Sequence, residues 1–213
     1  MKKYITEFLG TFFLMFTIVW VVHSELIPQI WKPTTIGLVL MVLIYVGGPI
    51  SKAHYNPAAT IGFITRRQMD SRDILPYFMA ELLGAFLAAV IGAALFANSA
   101  ATPFVVPDLS MALIAEFLGT FVIVSVIMYV ATLKKTIGNK YYGFAIALAV
   151  VLMIHAFGHL SGGAFNPAVA LGFVSTSMVD FKLFALVVAV CMLSGWLSGM
   201  LFNALEAKLG DSK

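Results

Sequence analysis

Two Asn-Pro-Ala triplets, Asn56-Pro57-Ala58 and Asn166-Pro167-Ala168, constrain the fold of this chain more than any other feature. Proline has no N–H and a φ fixed near the helical value, so each triplet predicts a helix that begins at the proline and is capped by the asparagine. The apolar runs that follow, Ala58 to Ile64 and Ala168 to Val174, are too short to cross a bilayer. A helix that begins at membrane depth leaves polar backbone there, which is tolerated only against protein or a water-filled cavity. The pair therefore predicts a pathway through a membrane.

The composition and the long apolar runs also indicate an integral membrane protein. Of the 213 residues, 61% are hydrophobic and 11% are charged, whereas a soluble domain is nearer half apolar and a quarter charged. Six runs approach the length of about 20 residues that a membrane-spanning helix needs. We therefore predict an all-α membrane protein with six transmembrane helices and two re-entrant half-helices. The predicted spans are Ile5–Val22, Thr35–Ile50, Tyr77–Ala97, Met111–Leu133, Tyr142–Phe157 and Phe181–Leu205.

The second half of the sequence repeats the first. The segment from Ile5 to Phe12 returns between Ile114 and Phe121, with Glu-Phe-Leu-Gly-Thr-Phe in both, and the glycines Gly84 and Gly195 recur in the third and sixth spans. This pattern indicates a duplicated unit of three spans and one half-helix. Three is an odd number, so the second unit enters the membrane from the opposite side, which makes an inverted repeat. We predict one membrane channel domain, residues 1–213, with a first repeat at 1–105 and a second at 106–213.

The distribution of lysine and arginine predicts the orientation. Of the 13 basic residues, only Lys32 and Lys182 fall on one side of the six-span arrangement. Such a bias marks the cytoplasmic side, so we expect both termini and the first Asn-Pro-Ala loop to be cytoplasmic, in a plasma (inner) membrane. The residues on the cytoplasmic side are Lys2, Lys3, Lys52, Arg66, Arg67, Arg72, Lys134, Lys135, Lys140, Lys208 and Lys213. Since they flank membrane spans, we expect no nucleic acid partner.

These motifs together resemble the aquaporin and aquaglyceroporin family, also called major intrinsic proteins, over nearly the whole chain. The resemblance implies two half-helices that meet at mid-bilayer, one pore per subunit, a homotetramer and passive passage of water and small neutral solutes. It also implies that Glu7 and Glu116 accept hydrogen bonds from the backbone of the re-entrant loops. No nucleophile, metal cluster or phosphate loop is evident in the sequence, so we expect no enzyme activity, no cofactor and no bound metal.

The physics of two opposed half-helices can be stated directly. Each helix N-terminus carries about half a positive charge, which repels a cation in a poorly screened centre. The amides of Asn56 and Asn166 can donate hydrogen bonds to the oxygen of a passing solute. A neutral solute avoids the repulsion, so the centre selects against charge.

The selectivity filter departs from the family. The family builds its narrowest constriction from four positions, which correspond to Ile36, Ile154, Gly163 and Val169. Nearly all members carry arginine where this chain has Val169. A guanidinium offers fixed donors and a positive charge, whereas valine offers neither and is shorter. We therefore expect a wider, mostly apolar constriction that suits glycerol, urea, or hydroxides of boron, arsenic or antimony in addition to water.

Several residues near the predicted pathway, and the function itself, allow more than one interpretation. A one-residue slip would place His155 in the constriction and predict a strict water channel; otherwise His155 and His159 bind loop carbonyls at the outer mouth, or form a pH switch or metal site. Lys52 replaces the usual glycine and either attracts or blocks solutes at the inner mouth, or reaches headgroups and water. His54 either anchors its loop or lines the inner vestibule. A poorly conducting membrane protein for assembly or adhesion is the alternative of another class.

Overall fold

Eight α-helices form the part of the chain that the computed structural model describes, residues 1–96 and 104–210. No strand occurs in these ranges. The six long helices are long and apolar enough to cross a membrane, and two short ones follow the second and fifth of them. This arrangement confirms the predicted fold class. The helices are α1 (Lys2–His23), α2 (Lys32–Ser51), α3 (Pro57–Thr65), α4 (Ile74–Leu95), α5 (Leu109–Thr132), α6 (Tyr142–Ser161), α7 (Pro167–Ser175) and α8 (Phe181–Gly210).

The helix ends lie within a few residues of the predicted spans. The fifth span was expected to end at Phe157, but α6 continues past Gly158 to Ser161 and stops at Gly162, whose φ of 91° is left-handed. Lys52, with a φ of 71°, ends α2 in the same way, at a position where the backbone favours glycine. The predicted end of the third span, Ala97, lies outside the described residues, as does Lys213, one of the basic residues expected on the cytoplasmic side.

Both short helices begin at the prolines of the triplets. The side-chain oxygen of Asn56 accepts a hydrogen bond from the backbone N–H of Ala58 at 2.9 Å, and that of Asn166 accepts one from Ala168 at 2.8 Å. The prolines occupy the first helical position, where a missing N–H leaves no bond unmade. The local sequence alone therefore explains where α3 and α7 start.

Small residues let the outer helices of each half approach closely. In α4, a side chain at Gly84 would overlap the backbone carbonyl of Phe8 in α1. The matching contact in the second half is made by Ser194 of α8, whose hydroxyl donates to the carbonyl of Phe117 at 2.9 Å. Ser194 is therefore the counterpart of Gly84, whereas the repeated glycines had suggested Gly195. A side chain at Gly195 would overlap the Ala58 carbonyl in α3.

The repeated Glu-Phe-Leu-Gly motif has a packing explanation. Gly10 of α1 contacts the ring of Tyr55, and Gly119 of α5 contacts the ring of Phe165, so that any side chain at either glycine would overlap the ring. The glutamate three residues earlier lies on the same helical face. Each motif thus makes room for the aromatic residue of a re-entrant loop and places a carboxylate beside its backbone.

Arg66 holds the C-terminal end of α3 in place. Its side chain is buried and pairs with Glu206 of α8, with 2.7 Å between Nη2 and Oε2. It also donates to the carbonyl of Phe202 at 3.0 Å and to the hydroxyl of Thr132 at 3.2 Å. The half-helix of the first repeat is therefore bound to α5 and α8 of the second.

Candidate functional site

The starts of the two half-helices are joined by their asparagines. The side-chain nitrogen of Asn56 donates to the carbonyl of Phe165 at 3.1 Å, and that of Asn166 donates to the carbonyl of Tyr55 at 2.8 Å. Each asparagine thus caps its own helix with its oxygen and binds the opposite loop with its nitrogen. An amide nitrogen carries two hydrogens, so each asparagine keeps one for a molecule beside it.

The electrostatics follow from this junction. Because α3 and α7 begin at cross-bonded residues, the positive ends of both helix dipoles lie close together, each with about half an elementary charge. Both asparagines line a cavity, and none of the described residues that line it is acidic. A cation in the cavity would meet this repulsion without a compensating carboxylate, whereas a neutral solute would not.

Glu116 fixes the second re-entrant loop. Its carboxylate is fully buried and accepts hydrogen bonds from the backbone N–H of Ala164 at 2.9 Å and of Phe165 at 2.6 Å. The hydroxyl of Ser161 donates to it at 2.6 Å. Buried backbone donors need such partners, and no helix or strand supplies them at this point of the loop.

Glu7 of α1 binds the first re-entrant loop in the same way. It is also fully buried, and it accepts from the backbone N–H of His54 at 3.0 Å and of Tyr55 at 2.7 Å. These contacts are the ones that the family resemblance led us to expect for the two glutamates. The loops therefore hold an irregular conformation, with positive φ at Tyr55 and Phe165, because α1 and α5 each provide a buried acceptor.

The structure brings the four predicted filter residues together. Ile36, Ile154, Gly163 and Val169 line the same cavity as the two asparagines. Val169 lies in the first turn of α7 and is 4% exposed. The other three filter residues carry only hydrocarbon side chains or none, so the filter offers no side-chain hydrogen bond to a solute.

Sequence reasoning missed most of the remaining wall. It is aliphatic, and its residues follow one another at intervals of four along α2 and α6, the spacing of one helical face. The same stripes appear in both repeats, 110 positions apart, so the signal was present in the sequence. The residues are Leu40 and Ile44 of α2 and Ile146 and Val150 of α6, with Leu14, Ile18, Ile123 and Ile127 from α1 and α5.

His155 does not line the cavity. Its side chain is exposed, with Nδ1 2.9 Å from the carbonyl of Val151 and Nε2 3.2 Å from that of Ile30. The alternative that placed His155 in the constriction is therefore wrong, because the residue faces away from Ile154's side of α6. His159 is exposed as well, and no group of three or more metal-ligating side chains occurs among the described residues.

Lys52 and His54 differ in their relation to the cavity. The ammonium of Lys52 donates to the carbonyl of Gln68 and lies 5.3 Å from the centre of the Phe63 ring. Lys52 is not among the lining residues, so a plug at the mouth is not observed. His54 does line the cavity, and its ring stacks on Phe63 with 4.1 Å between ring centres.

A buried polar network behind His54 was not predicted as a unit. Its Nδ1 lies 2.8 Å from the hydroxyl of Thr60, which donates to the carboxyl of Glu81 at 2.8 Å. All three side chains are buried. The corresponding positions of the second repeat, 110 residues later, hold Ala164, Ala170 and Cys191. The network is thus confined to the first half.

Comparisons with known proteins agree with this geometry. The family model described as "Major intrinsic protein" matches the chain twice, over residues 1–111 and 103–208. The chain belongs to the major intrinsic protein family. Among solved structures, the X-ray structure of the aquaglyceroporin from Plasmodium falciparum is similar with a TM-score of 0.84 and 25% identity, covering 100% of this chain and 99% of that one.

Relatives with assigned names extend the comparison within the major intrinsic proteins. Aquaporin NIP1-1 of Oryza sativa subsp. japonica is 36% identical over 179 residues, which are 80% of this chain and 63% of that protein. Probable aquaporin NIP4-2 of Arabidopsis thaliana is 33% identical over 181 residues, with the same two coverages of 80% and 63%. The chain thus spans less than two thirds of these plant relatives. Aquaporin AqpM of Methanothermobacter thermautotrophicus is 31% identical over 208 residues, 84% of each protein.

Proposed function

We propose that this major intrinsic protein is a passive channel for water and for neutral solutes larger than water, such as glycerol, urea, or hydroxides of boron, arsenic or antimony. The observation that carries the proposal is Val169 on the cavity wall beside Ile36 and Ile154. An arginine there would add length, donors and charge. Valine leaves the constriction wider and apolar, which suits a solute with a hydrocarbon side.

The rest of the cavity supports selection by charge and size. The opposed starts of α3 and α7 disfavour cations, and the free amide hydrogens of Asn56 and Asn166 can bind a hydroxyl or carbonyl oxygen in transit. Between these donors and the ends of the cavity, the wall is almost wholly aliphatic. Few strong binding groups mean that a solute is held weakly and can leave, which conduction requires.

The two alternatives are less well supported. A strict water channel would need a polar, narrow filter, but His155 is exposed outside the cavity, where its two ring nitrogens lie beside the carbonyls of Val151 and Ile30. A protein of assembly or adhesion has no need for two helix starts whose polar backbone must be kept at membrane depth. Both starts instead adjoin a cavity.

We further propose how the channel sits in the membrane. The excess of basic residues at one end of the helices favours cytoplasmic termini, with α3 entering from the cytoplasm and α7 from outside. We propose a plasma (inner) membrane, inverted repeats at 1–105 and 106–213, and a homotetramer, as in the family that the sequence resembles. The exposed large apolar side chains along the long helices are suited to lipid and to neighbouring subunits.

Reconstitution in liposomes tests the proposed activity. Stopped-flow light scattering measures vesicle shrinkage and reswelling in gradients of an impermeant osmolyte, glycerol, urea and boric acid. We expect both water and glycerol to cross faster than in empty vesicles. Flux equal to that of empty vesicles for every solute would contradict the channel, and flux of water alone would contradict the wide constriction.

Replacing Val169 tests the filter itself. Val169→Arg should lower glycerol flux by roughly tenfold or more relative to water, because it fills the ring and adds a fixed charge. Val169→Met is the control that adds length without charge, and it should have a smaller effect on the ratio of the two fluxes. Equal losses of water and glycerol in the arginine variant, or no loss, would show that this position does not set the size limit.

A further inference from the structure

The cavity wall is built nearly symmetrically about the asparagine pair. Three of the outer filter positions, Ile36, Ile154 and Gly163, have counterparts 110 positions away in the other repeat. These counterparts are Ile146, Ile44 and Ala53, and all three line the same cavity. The isoleucines are conserved between the repeats in identity as well as in place.

The counterparts lie at the opposite end of the cavity. Helices α2 and α6 pack side by side and run antiparallel, since Gly143 near the start of α6 contacts Tyr45 near the end of α2. Ile146 therefore lies at the level of Ile44, about two helical turns from the level of Ile36 and Ile154. Ala53 precedes the first triplet, as Gly163 precedes the second.

We propose that Ile44, Ile146 and Ala53 form a second size filter, the inner neck, in series with the outer ring of Ile36, Ile154, Gly163 and Val169. This inference rests on the proposed channel function and adds a second limiting position to it. A solute that passes one ring must also pass the other, so the narrower of the two limits its size.

At three of the four matched positions, the inner neck carries at least as much side chain as the outer ring. Ala53 has a methyl group where the outer ring has Gly163, and His54 stands beside it where the second loop has Ala164. The fourth position differs in the other direction: Val169 lines the cavity, whereas its counterpart Ala59 is fully buried and does not. The outer ring lacks the guanidinium that would make it clearly the narrower of the two rings. We therefore expect the inner neck to contribute to the limit on solute size.

A matched pair of narrowing substitutions tests the proposal. Ile36→Phe and Ile146→Phe place the same change at equivalent positions of the outer ring and the inner neck. We expect each to lower glycerol flux in liposomes by roughly fivefold or more while water flux falls less, because a bulky aliphatic-to-aromatic change fills a solute-sized passage. Leu148→Phe is the control, since Leu148 lies two residues along α6 with 43% of its surface exposed.

The outcomes separate the two proposals. Wild-type vesicles that pass no glycerol contradict the channel function and the neck with it. A conducting wild type in which Ile36→Phe lowers glycerol flux and Ile146→Phe does not overturns the inner neck alone. As a second measurement, Ile146→Ala should raise the flux of erythritol relative to glycerol. Size-exclusion profiles and retained water flux establish that each variant is folded, and an unchanged ratio in folded Ile146→Ala also counts against the neck.

Discussion

Replacing Glu116 with glutamine tests whether one buried carboxylate holds the second re-entrant loop. The carboxylate accepts the backbone N–H groups of Ala164 and Phe165 and the hydroxyl of Ser161. Glutamine has nearly the same shape but only one side-chain oxygen. Its NH₂ group takes the place of the other oxygen, where it faces a donor instead of accepting from it.

The number of lost acceptors sets the size of the effect. In Glu116→Gln at least one buried donor loses its partner, which destabilises by about 1–3 kcal/mol. In Glu116→Ala both backbone donors are left without an acceptor, so the free energy of unfolding falls by roughly 2–6 kcal/mol. In a chain of this length, 1 kcal/mol moves Tm by about 2–4 °C. We therefore expect Tm to fall by several degrees in the glutamine variant and further in the alanine variant.

Circular dichroism of the detergent-purified protein measures Tm, and glycerol flux in liposomes measures the proposed conduction. Glu25→Gln is the matched control, because Glu25 is exposed in the connection between α1 and α2, and it should melt with the wild type. If Glu116→Gln and Glu116→Ala both have the Tm and the glycerol flux of the control, the view that this carboxylate fixes the loop is refuted.

Two further predictions concern the packing of α3. Arg66→Gln removes the partner of the partly exposed Glu206 and the donors to the Phe202 carbonyl and the Thr132 hydroxyl, and it should destabilise the fold by about 1–3 kcal/mol. Arg67→Gln, at an exposed neighbouring residue, should not. Equal Tm shifts in the two variants would contradict the role of Arg66 in holding α3. Gly195→Ala must displace the Ala58 carbonyl, so it should destabilise the fold by about 1–3 kcal/mol. The same displacement should lower water flux. Gly158→Ala, whose added carbon would meet only a side-chain methyl of Ile154 at 3.2 Å, is the comparison, and thermal scans in which Gly195→Ala matches it would count against the close contact.

Features that depend on neighbouring residues were predictable from the sequence. The caps at Asn56 and Asn166 and the helix starts at the following prolines are local, so the sequence determines them. The six spans follow from hydropathy and length. The pairing of the halves was visible because a whole unit is repeated, and it identified the two asparagines that line the cavity but not most of the aliphatic wall.

Features that depend on rotation about a helix or on distant contacts were not. Successive residues of a helix point about 100° apart, so placing His155 instead of Ile154 in the cavity required only a slip of one position, and the sequence left both open. The network of His54, Thr60 and Glu81 joins three elements, and Arg66 finds its partners more than 60 residues away. No local pattern reports such contacts.

The exchange of hydrogen bonds between the two asparagines and the opposite loops affects the order of assembly. During synthesis the Tyr55 carbonyl cannot accept this bond until Asn166 has been made and inserted. The first half can adopt its helices earlier, but the middle of the passage is completed only when the second half arrives. The junction of the two half-helices therefore cannot form before Asn166 of the second half is in place.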